Sequence, residues 1–301
     1  MSRMERMNEL PIVTLTTDFG TADGYVGTMK GVILDIAPQA QLADITHEIA
    51  PQDVGQTAYV LYTAYRFFPS RSVHLVVVDP GVGSARRPIA VRLSHGTFVG
   101  PDNGVFSYVM AEESVETIVE LADTRYRLPW VSQTFHGRDI FAPAAAHLAA
   151  GVPIQELGPA VSDPVTLPIP HLEIGPQGVS GEVLHTDHFG NVITSIGRLL
   201  WRGDELSLAP AFQQQSNRVM PQPHARLAAY EAVVVARGSS PDGSPRQNRE
   251  IRGVHRTYAD VEPGEVLALV GSEGHLEIAV REGNGAERLG LQPGDPVELR
   301  W

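Results

Sequence analysis

The hydrophobic pattern of the chain changes near residue 165, and this change constrains the fold more than any other feature. Before it, continuous apolar runs such as Pro11–Thr16 and residues 72–78 alternate with segments that have helical spacing. Such runs indicate strands buried on both faces, so we predict an α/β layer with a largely parallel sheet. After it, short β-type runs separated by turn residues predict a smaller all-β, barrel-like domain.

A proline-rich segment lies at the change of pattern. Residues 165–178 contain Pro168, Pro170 and Pro176, a composition typical of a linker. A chain of 301 residues is long enough for two domains of ordinary size. We therefore predict an α/β N-terminal domain, a linker and a β-barrel C-terminal domain, over residues 1–165, 166–178 and 179–301.

Composition excludes several classes of function. The formal net charge is -12 and Lys30 is the single lysine, which argues against nucleic-acid binding by phosphate neutralisation. Without cysteine, the chain has no disulfide, thiolate nucleophile or cysteine-bound metal. The first ten residues lack the apolar core of a signal peptide, and no apolar run approaches the ~20 residues of a membrane span. We expect a cytoplasmic protein, without a membrane partner, that acts on a small molecule.

Two aspartates follow predicted strands directly. Asp18 and Asp79 lie where the buried runs end, and open α/β sheets bind ligands beyond the carboxyl ends of their strands. The loop after the first run also contains Asp23. A carboxylate that accepts two hydrogen bonds suits a ribose diol, and a second carboxylate could hold an ammonium group. Either residue could instead cap a turn or a helix.

Three further motifs contain candidate functional groups. The glycine-rich turn DPGVGSARR ends near Arg86, and it lacks the lysine and Ser/Thr of a phosphate loop. FHGRD places His136 just before a helix, residues 139–150, that Asp139 could begin. DHFGN, residues 187–191, suits a planar heterocycle with polar groups. The structural alternatives are a surface turn with a salt bridge, a structural histidine and a tight turn, and PDNG, residues 101–104, also has the sequence of a tight turn.

A metal site is an alternative interpretation of the acids and histidines. No tight ligand spacing such as HExxH is present, so we expect no metal and no cofactor. The residues that this alternative would use are Asp18, His47, Asp79, Asp102, His136 and Asp139.

Eight segments, taken in order, resemble the S-adenosyl-L-methionine (SAM) hydroxide adenosyltransferase family, which is similar to the bacterial fluorinase and chlorinase. The resemblance extends from about residue 11 to the C-terminus. The segments are TTDFGTADGYVGTMKG, ITHEIAPQDV, FFP, VVVDPGVGSARR, VGPDNGVF, TFHGRDIFAPAAAHLA, DHFGNVITSI and GSEGHLEIAV.

The resemblance implies both architecture and activity. It implies an α/β N-terminal domain with a smaller β-barrel C-terminal domain, in a homotrimer whose active sites lie at subunit interfaces. The implied reaction is attack of water on the ribose C5′ of SAM, which releases adenosine and L-methionine without a cofactor. Two alternatives remain: a halide-dependent adenosyl halide synthase, and a non-catalytic protein that binds adenosine or SAM.

The resemblance also implies roles for individual residues. Asp79, Arg86 and His136 match the catalytic set of the hydroxide-transferring branch, with His136 the expected base and Asp79 the alternative. Because a carboxylate repels an anion, Asp79 argues against the halide synthase, and a non-catalytic binding protein would not need this set. The matched binding positions are Asp18 for the ribose diol, Asp23, Asp187 and Ser272 for the methionine ammonium, Phe189, Asn191 and Tyr258 for adenine, Phe135 near C5′, and Asn103 and Glu273.

The sequence departs from the fluorinase pattern at three positions. Glu273 stands where the fluorinase has an arginine for the methionine carboxylate. Gln52 replaces a tryptophan that packs on the nucleoside, and Arg281 stands where an asparagine is expected. These differences concern the affinity for the substrate more than the class of reaction.

Overall fold

A computed structural model describes residues 10–209, 211–212, 226–238 and 248–301. The chain divides into two compact units, Met1–Pro168 and Ile169–Trp301. Among the described residues, no helix has the length and apolar character needed to cross a membrane.

The first unit is built on a six-stranded mixed sheet. Its strands, in the order β2-β1-β3-β5-β4-β6, are β1 (Ile12–Thr17), β2 (Gln41–Thr46), β3 (Val73–Val77), β4 (Pro88–Leu93), β5 (Thr97–Pro101) and β6 (Val115–Glu120). The strands β2, β1, β3 and β5 pair in parallel, whereas β4 is antiparallel to both β5 and β6.

The prediction of a largely parallel sheet is therefore wrong for one side of this sheet. Only a short turn, residues 94–96, joins β4 to β5, and such a turn can connect only antiparallel neighbours. Since β4 is almost entirely buried, its apolar run resembles that of a parallel strand, and the sequence pattern could not distinguish the two cases. The α/β character of the unit and its buried strands β1 and β3 are confirmed.

Helices cover this sheet and complete its core. They are α1 (Tyr25–Ile36), α2 (Val54–Ala64), α3 (Ser107–Glu112) and α4 (Ala142–Ala149). Helices α1 and α4 pack against each other, and their apolar residues share one core with β1 and β3. Met29, Leu15 and Phe141 are fully buried there. Burying such a side chain stabilises the fold by about 1.5–3 kcal/mol, so this core fixes the strand ends that carry the candidate residues.

The start of α2 agrees with the sequence and also contacts a candidate site residue, Asp18. The Asp53 carboxylate accepts a hydrogen bond from the Gln56 backbone N–H at 2.8 Å, which caps the helix. Gln52, just before the cap, has φ 67°, in the left-handed region that side chains with a Cβ rarely adopt. In this conformation its backbone N–H donates to Asp18 Oδ2 at 2.8 Å. The helix cap therefore also positions the Asp18 carboxylate.

The predicted helix over residues 139–150 begins earlier than expected. A π-helical turn, Gly137–Phe141, continues directly into α4, and the helix stops before Gly151 at φ 96°. Asp139 does not begin the helix. Its carboxylate accepts a hydrogen bond from the Ser132 backbone at 2.8 Å and pairs with Arg138 at 2.6 Å. It holds the loop before the helix instead.

The second unit consists mostly of β-structure. Its elements are β7 (Leu172–Gly175), β8 (Gly178–Thr186), β9 (Val192–Thr194), β10 (Leu199–Arg202), β11 (Glu205–Leu208), β12 (Arg226–Ala228), β13 (Val233–Ala236), β14 (Arg249–Arg252), β15 (Val254–His255), β16 (Val266–Val270), β17 (Leu276–Val280), α5 (Gly285–Leu289) and β18 (Pro296–Arg300).

The larger sheet of this unit nearly closes on itself. Its strand order is β14-β13-β18-β8-β9-β17-β16-β15, with β7 paired on β8, and β10-β11-β12 form a smaller sheet. The two ends of the order, β14 and β15, are separated in the chain only by Gly253, so they lie close together. The predicted mostly-β, barrel-like character of this part is confirmed.

The cap of α2 gives a testable prediction. Replacing Asp53 by Ala removes the acceptor of the Gln56 N–H and should lower the free energy of unfolding by about 1 kcal/mol. Asp53→Asn, which keeps an acceptor, should retain most of the stability. Urea unfolding followed by circular dichroism measures both variants. Equal stability of Asp53→Ala and the wild type would contradict the capping role.

Candidate active site

The three residues predicted to be catalytic come together in the first unit. Asp79 follows β3, Arg86 lies at the end of the glycine-rich turn before β4, and His136 precedes the π-helical turn. Arg86 Nε and Nη2 donate to the two carboxylate oxygens of Asp79 at 3.0 and 2.5 Å. The same Nη2 donates to His136 Nδ1 at 3.0 Å. Arg86 therefore joins the other two residues in one cluster.

The cluster is largely shielded from water. The side chains of Arg86 and Asp79 are only 7% and 5% exposed, and the guanidinium lies 5.1 Å from the ring centroid of Phe141. Arg86 Nη1 is buried and has no hydrogen-bond partner among the described residues. Buried polar groups are nearly always paired in folded proteins. A water or ligand group that reaches Nη1 would complete the hydrogen bonding of Arg86.

His136 is held in one protonation state by its surroundings. Because arginine can only donate, His136 Nδ1 must accept the hydrogen bond, which places the proton of the neutral ring on Nε2. Burial first, and then the nearby Arg86 cation, lower the pKa of His136 below its ordinary value. The imidazole is therefore neutral at neutral pH.

The turn that carries Arg86 depends on a glycine. Gly83 has φ 76°, and a Cβ there would lie 2.6 Å from the backbone oxygen of Gln133. The Ser84 hydroxyl donates to Gly81 O at 2.6 Å and closes the turn. The close approach of Gly83 to Gln133 brings the Arg86 turn against the segment that leads to His136.

Asn103 and Asp102, from the PDNG turn, bind backbone and structural partners. The Asn103 amide donates to Val78 O at 3.0 Å, next to Asp79, so it supports the end of β3. Asp102 is buried, pairs with Arg87 at 2.6 Å and accepts from the Val165 backbone at 2.7 Å. Within the described ranges, no group of three or more acids and histidines could hold a metal ion.

The loop after β1 carries Asp18 and Asp23 beside an aromatic cluster. Phe19, Tyr25 and Phe135 have ring centroids 5.2 to 5.9 Å apart. Phe135 thus lies beside His136 in the chain and beside Phe19, the neighbour of Asp18, in space. Asp23 is exposed on the same loop.

His47 holds the start of this loop through two hydrogen bonds. Its Nδ1 lies 2.9 Å from the Thr17 hydroxyl, and its backbone oxygen accepts from Gly20 N at 2.8 Å. The ring is only 6% exposed. These contacts give His47 a structural role at the start of this loop.

The second unit contains a groove of about 860 Å³ that brings together most of the C-terminal candidates. It has room for a nucleoside with a side chain. Glu273 and Arg281 are not among its lining residues; Arg281 Nη1 donates instead to Val261 O at 2.7 Å. The predicted residues that line it are Asp187, Phe189, Asn191, Tyr258 and Ser272.

The turn DHFGN is closed by its own carboxylate. Asp187 Oδ1 accepts from the backbone N–H groups of Phe189 and Asn191 at 2.9 and 2.8 Å. Asp187 Oδ2 accepts from Asn191 Nδ2 at 2.9 Å. This closure leaves the Phe189 ring 72% exposed at the groove. An exposed aromatic ring beside a fixed amide is a suitable surface for a flat heterocycle.

Glu277, which the sequence analysis missed, also lines the groove. It is 7% exposed on β17, and its Oε1 accepts the Tyr258 hydroxyl hydrogen at 2.5 Å. Burial raises the pKa of Glu277. The signal in the sequence was an acidic residue within the apolar run HLEIAV, because buried carboxylates are rare unless they have a specific partner.

Comparisons with known proteins identify the family of this chain. Residues 13–158 match the family described as SAM hydroxide adenosyltransferase N-terminal domain, and residues 181–298 match its C-terminal domain. A protein from Salinispora tropica named (R)-S-adenosyl-L-methionine hydrolase is 41% identical over 296 residues, which cover 97% of this chain and 99% of that protein. A fluorinase from an Actinoplanes species is 31% identical, over 64% of this chain and 73% of that enzyme.

A solved structure is similar over nearly the whole chain. It is the crystal structure of an uncharacterized conserved protein from Thermotoga maritima, with a TM-score of 0.79 and 36% identity, covering 96% of this chain and 100% of that one. Both domains of one family match in their expected order, at the two compact units that the structure contains. This chain therefore belongs to the SAM hydroxide adenosyltransferase family.

Proposed function

We propose that this chain is a SAM hydrolase that directs water to the ribose C5′ carbon and releases adenosine and L-methionine. The observation that supports this most directly is the buried cluster of Asp79, Arg86 and His136, in which Arg86 Nη1 has no partner among the described residues. A protein that only binds its ligand would not need such a cluster. The name of the Salinispora tropica relative supports the same reaction.

The chemistry of SAM defines what the protein must supply. The sulfonium leaves as a neutral thioether, so the leaving group needs neither a proton nor a metal ion. The weak step is attack by water, which must lie in line with the C5′–S bond. Holding a reactant in such a geometry contributes up to roughly 7–11 kcal/mol, and a general base adds about 10²–10⁴-fold. The proposed reaction therefore uses no metal and no cofactor.

We assign the role of orienting the water to Arg86. Its free Nη1 donors would hold the oxygen and favour developing hydroxide. The proton acceptor was expected to be His136, yet His136 Nδ1 is occupied by Arg86 and Nε2 carries the proton. Each Asp79 oxygen keeps a further lone pair beyond its bond from Arg86. The arrangement thus favours Asp79 as the acceptor, with His136 fixing the guanidinium.

The remaining residues would bind the substrate. We propose that Asp18, whose Oδ2 is already positioned by the Gln52 N–H, binds the ribose diol, and that Phe135 lies near C5′. Glu273 offers no cation to the methionine carboxylate, so this group must find its partner elsewhere. The proposed ammonium partners are Asp23, Asp187 and Ser272, and the proposed adenine partners are Phe189, Asn191 and Tyr258.

We also propose a homotrimer, in the cytoplasm, whose active sites each combine residues of two subunits. The resemblance to the family supports this assembly. The proposed site residues lie in both units, the cluster around Arg86 in the first and the groove around Asn191 in the second.

The function is tested by the products and by one substitution. In the presence of EDTA, the wild type should convert SAM to adenosine and methionine in equal amounts, measured by chromatography. Asp79→Asn should slow adenosine formation by at least about a hundredfold, because the proton acceptor is lost. Activity that disappears on chelation and returns with a divalent ion would contradict the reaction without a metal, and a full rate in Asp79→Asn would contradict the role of Asp79.

The same two proteins test discrimination against halide. At ~4 Å and an effective dielectric of ~20, a chloride beside a carboxylate costs about 4 kcal/mol, of which Arg86 offsets a part. In high chloride the wild type should therefore make adenosine and no 5′-chloro-5′-deoxyadenosine. Asp79→Asn should lose this preference for water over chloride, because the repelling carboxylate is gone. Ready formation of the chloro product by the wild type would favour a halide synthase.

The pKa of His136 predicts the acid limb of the pH profile. Because burial and the Arg86 cation lower the pKa of His136 below its ordinary value of 6.5, the midpoint of its protonation lies below pH 6.5. A protonated ring could not accept the hydrogen bond from Arg86. The midpoint of the acid limb of kcat/KM should therefore lie below pH 6.5, and His136→Gln should lack this limb. A midpoint above pH 6.5 would contradict the assignment.

Mixed oligomers test the shared site. Asp79→Asn and Asn191→Ala each inactivate a different part of the proposed site. Co-expressed in equal amounts, they should regain about a quarter of wild-type activity, because one site in four would combine two intact halves. Sites contained within one subunit would give no recovery. Each variant expressed alone is the control.

A further inference from the structure

The groove of the second unit contains a directed chain of hydrogen bonds that ends on a buried acid. Asn191 Nδ2 donates to Asp187 Oδ2 at 2.9 Å and to the Tyr258 hydroxyl oxygen at 3.4 Å. The Tyr258 hydroxyl in turn donates to Glu277 Oε1 at 2.5 Å. Glu277 is 7% exposed, so this last acceptor is shielded from water.

The direction of this chain follows from its two carboxylates. The Asn191 amide must turn its NH₂ group towards Asp187, because the opposite orientation would bring two oxygens together. The Tyr258 oxygen can accept from Asn191 because its own hydrogen is given to Glu277. Among the described residues nothing donates to Asn191 Oδ1, so this oxygen is the acceptor left for a ligand.

The Glu277 carboxylate occupies space that a neighbouring glycine, Gly271, leaves free. A Cβ on Gly271 would lie 2.7 Å from Glu277 Oε2, which is closer than real contacts allow. Strand β17 fixes the backbone of Glu277, since this residue pairs with Leu269 on one neighbouring strand and with Ile193 on the other. A side chain at residue 271 would therefore displace the carboxylate from its place beside Tyr258.

We propose that Glu277 is a positioning residue that sets which purine the groove accepts. By taking the Tyr258 hydroxyl hydrogen, it prevents that hydroxyl from donating into the groove. A bound base then meets the Asn191 Oδ1 acceptor and no Tyr258 donor, which fits the amino group of a 6-aminopurine and disfavours the carbonyl of a 6-oxopurine. This inference rests on the proposed function, because it places the purine of the substrate in this groove.

Removal of the acid should therefore change selectivity in a specific way. In Glu277→Leu the Tyr258 hydroxyl is released and can donate to a ligand carbonyl, so a 6-oxopurine gains a partner. Glu277→Gln keeps a carbonyl acceptor and should retain the selectivity. Tyr258→Phe removes the hydroxyl altogether and gives a 6-oxopurine no new donor. A purely structural role for Glu277 would not produce this pattern.

The experiment measures the affinity of the full-length protein for adenosine and inosine by calorimetry. The wild type, Glu277→Gln and Tyr258→Phe should prefer adenosine by roughly tenfold or more, the effect of one buried unpaired group. Glu277→Leu should reduce the preference to about twofold or less. The double variant Glu277→Leu/Tyr258→Phe should recover it. Glu287→Leu, the same substitution on the exposed face of α5, is the control and should keep the wild-type ratio.

A second variant releases the Tyr258 hydroxyl from Glu277 without removing the acid. Gly271→Ala should push the Glu277 carboxylate aside and reduce the preference in the same way, which keeps the test decisive if Glu277→Leu fails to fold. An unchanged ratio in Glu277→Leu or in Gly271→Ala, or inosine binding that persists in the double variant, would overturn the inference. A parallel assay with SAM separates the two proposals. If the wild type forms adenosine but the ratio of adenosine to inosine affinity is unchanged in the variants, only the role of Glu277 is wrong. A wild type that neither binds nucleoside nor reacts with SAM overturns both proposals.

Discussion

The candidate site depends on one buried guanidinium. Removing a charged group from water is costly unless the charge is paired and hydrogen-bonded, and Arg86 meets this requirement through both oxygens of Asp79 and through His136. The three residues come from different parts of the first unit: Asp79 from the end of β3, Arg86 from the glycine-rich turn and His136 from the start of the π-helical turn. The parallel part of the sheet and the core around Phe141 bring these three segments together, and the site depends on both.

In the groove of the second unit, as in the Arg86 cluster, carboxylates orient neighbouring hydrogen-bond donors. Asp187 closes its own turn by accepting three hydrogen bonds, and Glu277 fixes Tyr258 from the buried side. In both units a carboxylate is used to orient a neighbouring donor. Carboxylates suit this purpose because they only accept, so the direction of every bond in the cluster is determined.

The sequence predicted those features that depend on local pattern. The buried strands β1 and β3, the Asp53 cap and the mostly-β second unit each have a periodic or capping signal, and the ordered motifs led to the family. The antiparallel side of the first sheet could not be predicted, because burial on both faces hides the direction of a strand. The candidate site residues were predicted from their motifs, but their contacts could not be. That His136 receives a hydrogen bond at Nδ1, and that Glu277 completes the Tyr258 cluster, depends on side chains brought together from distant positions in the chain.

The charge balance of the cluster also accounts for its composition under the proposed reaction. The substrate carries a positive sulfonium, so a site with a net positive charge would repel it. A bare arginine would be a good donor for the attacking water but would oppose the approach of the cation. Asp79 neutralises that charge through Nε and Nη2, while Nη1 of Arg86 has no partner among the described residues. The lowered pKa of His136 keeps the third member neutral. The cluster can therefore bind and polarise water beside a cation, which neither the acid nor the arginine could do alone.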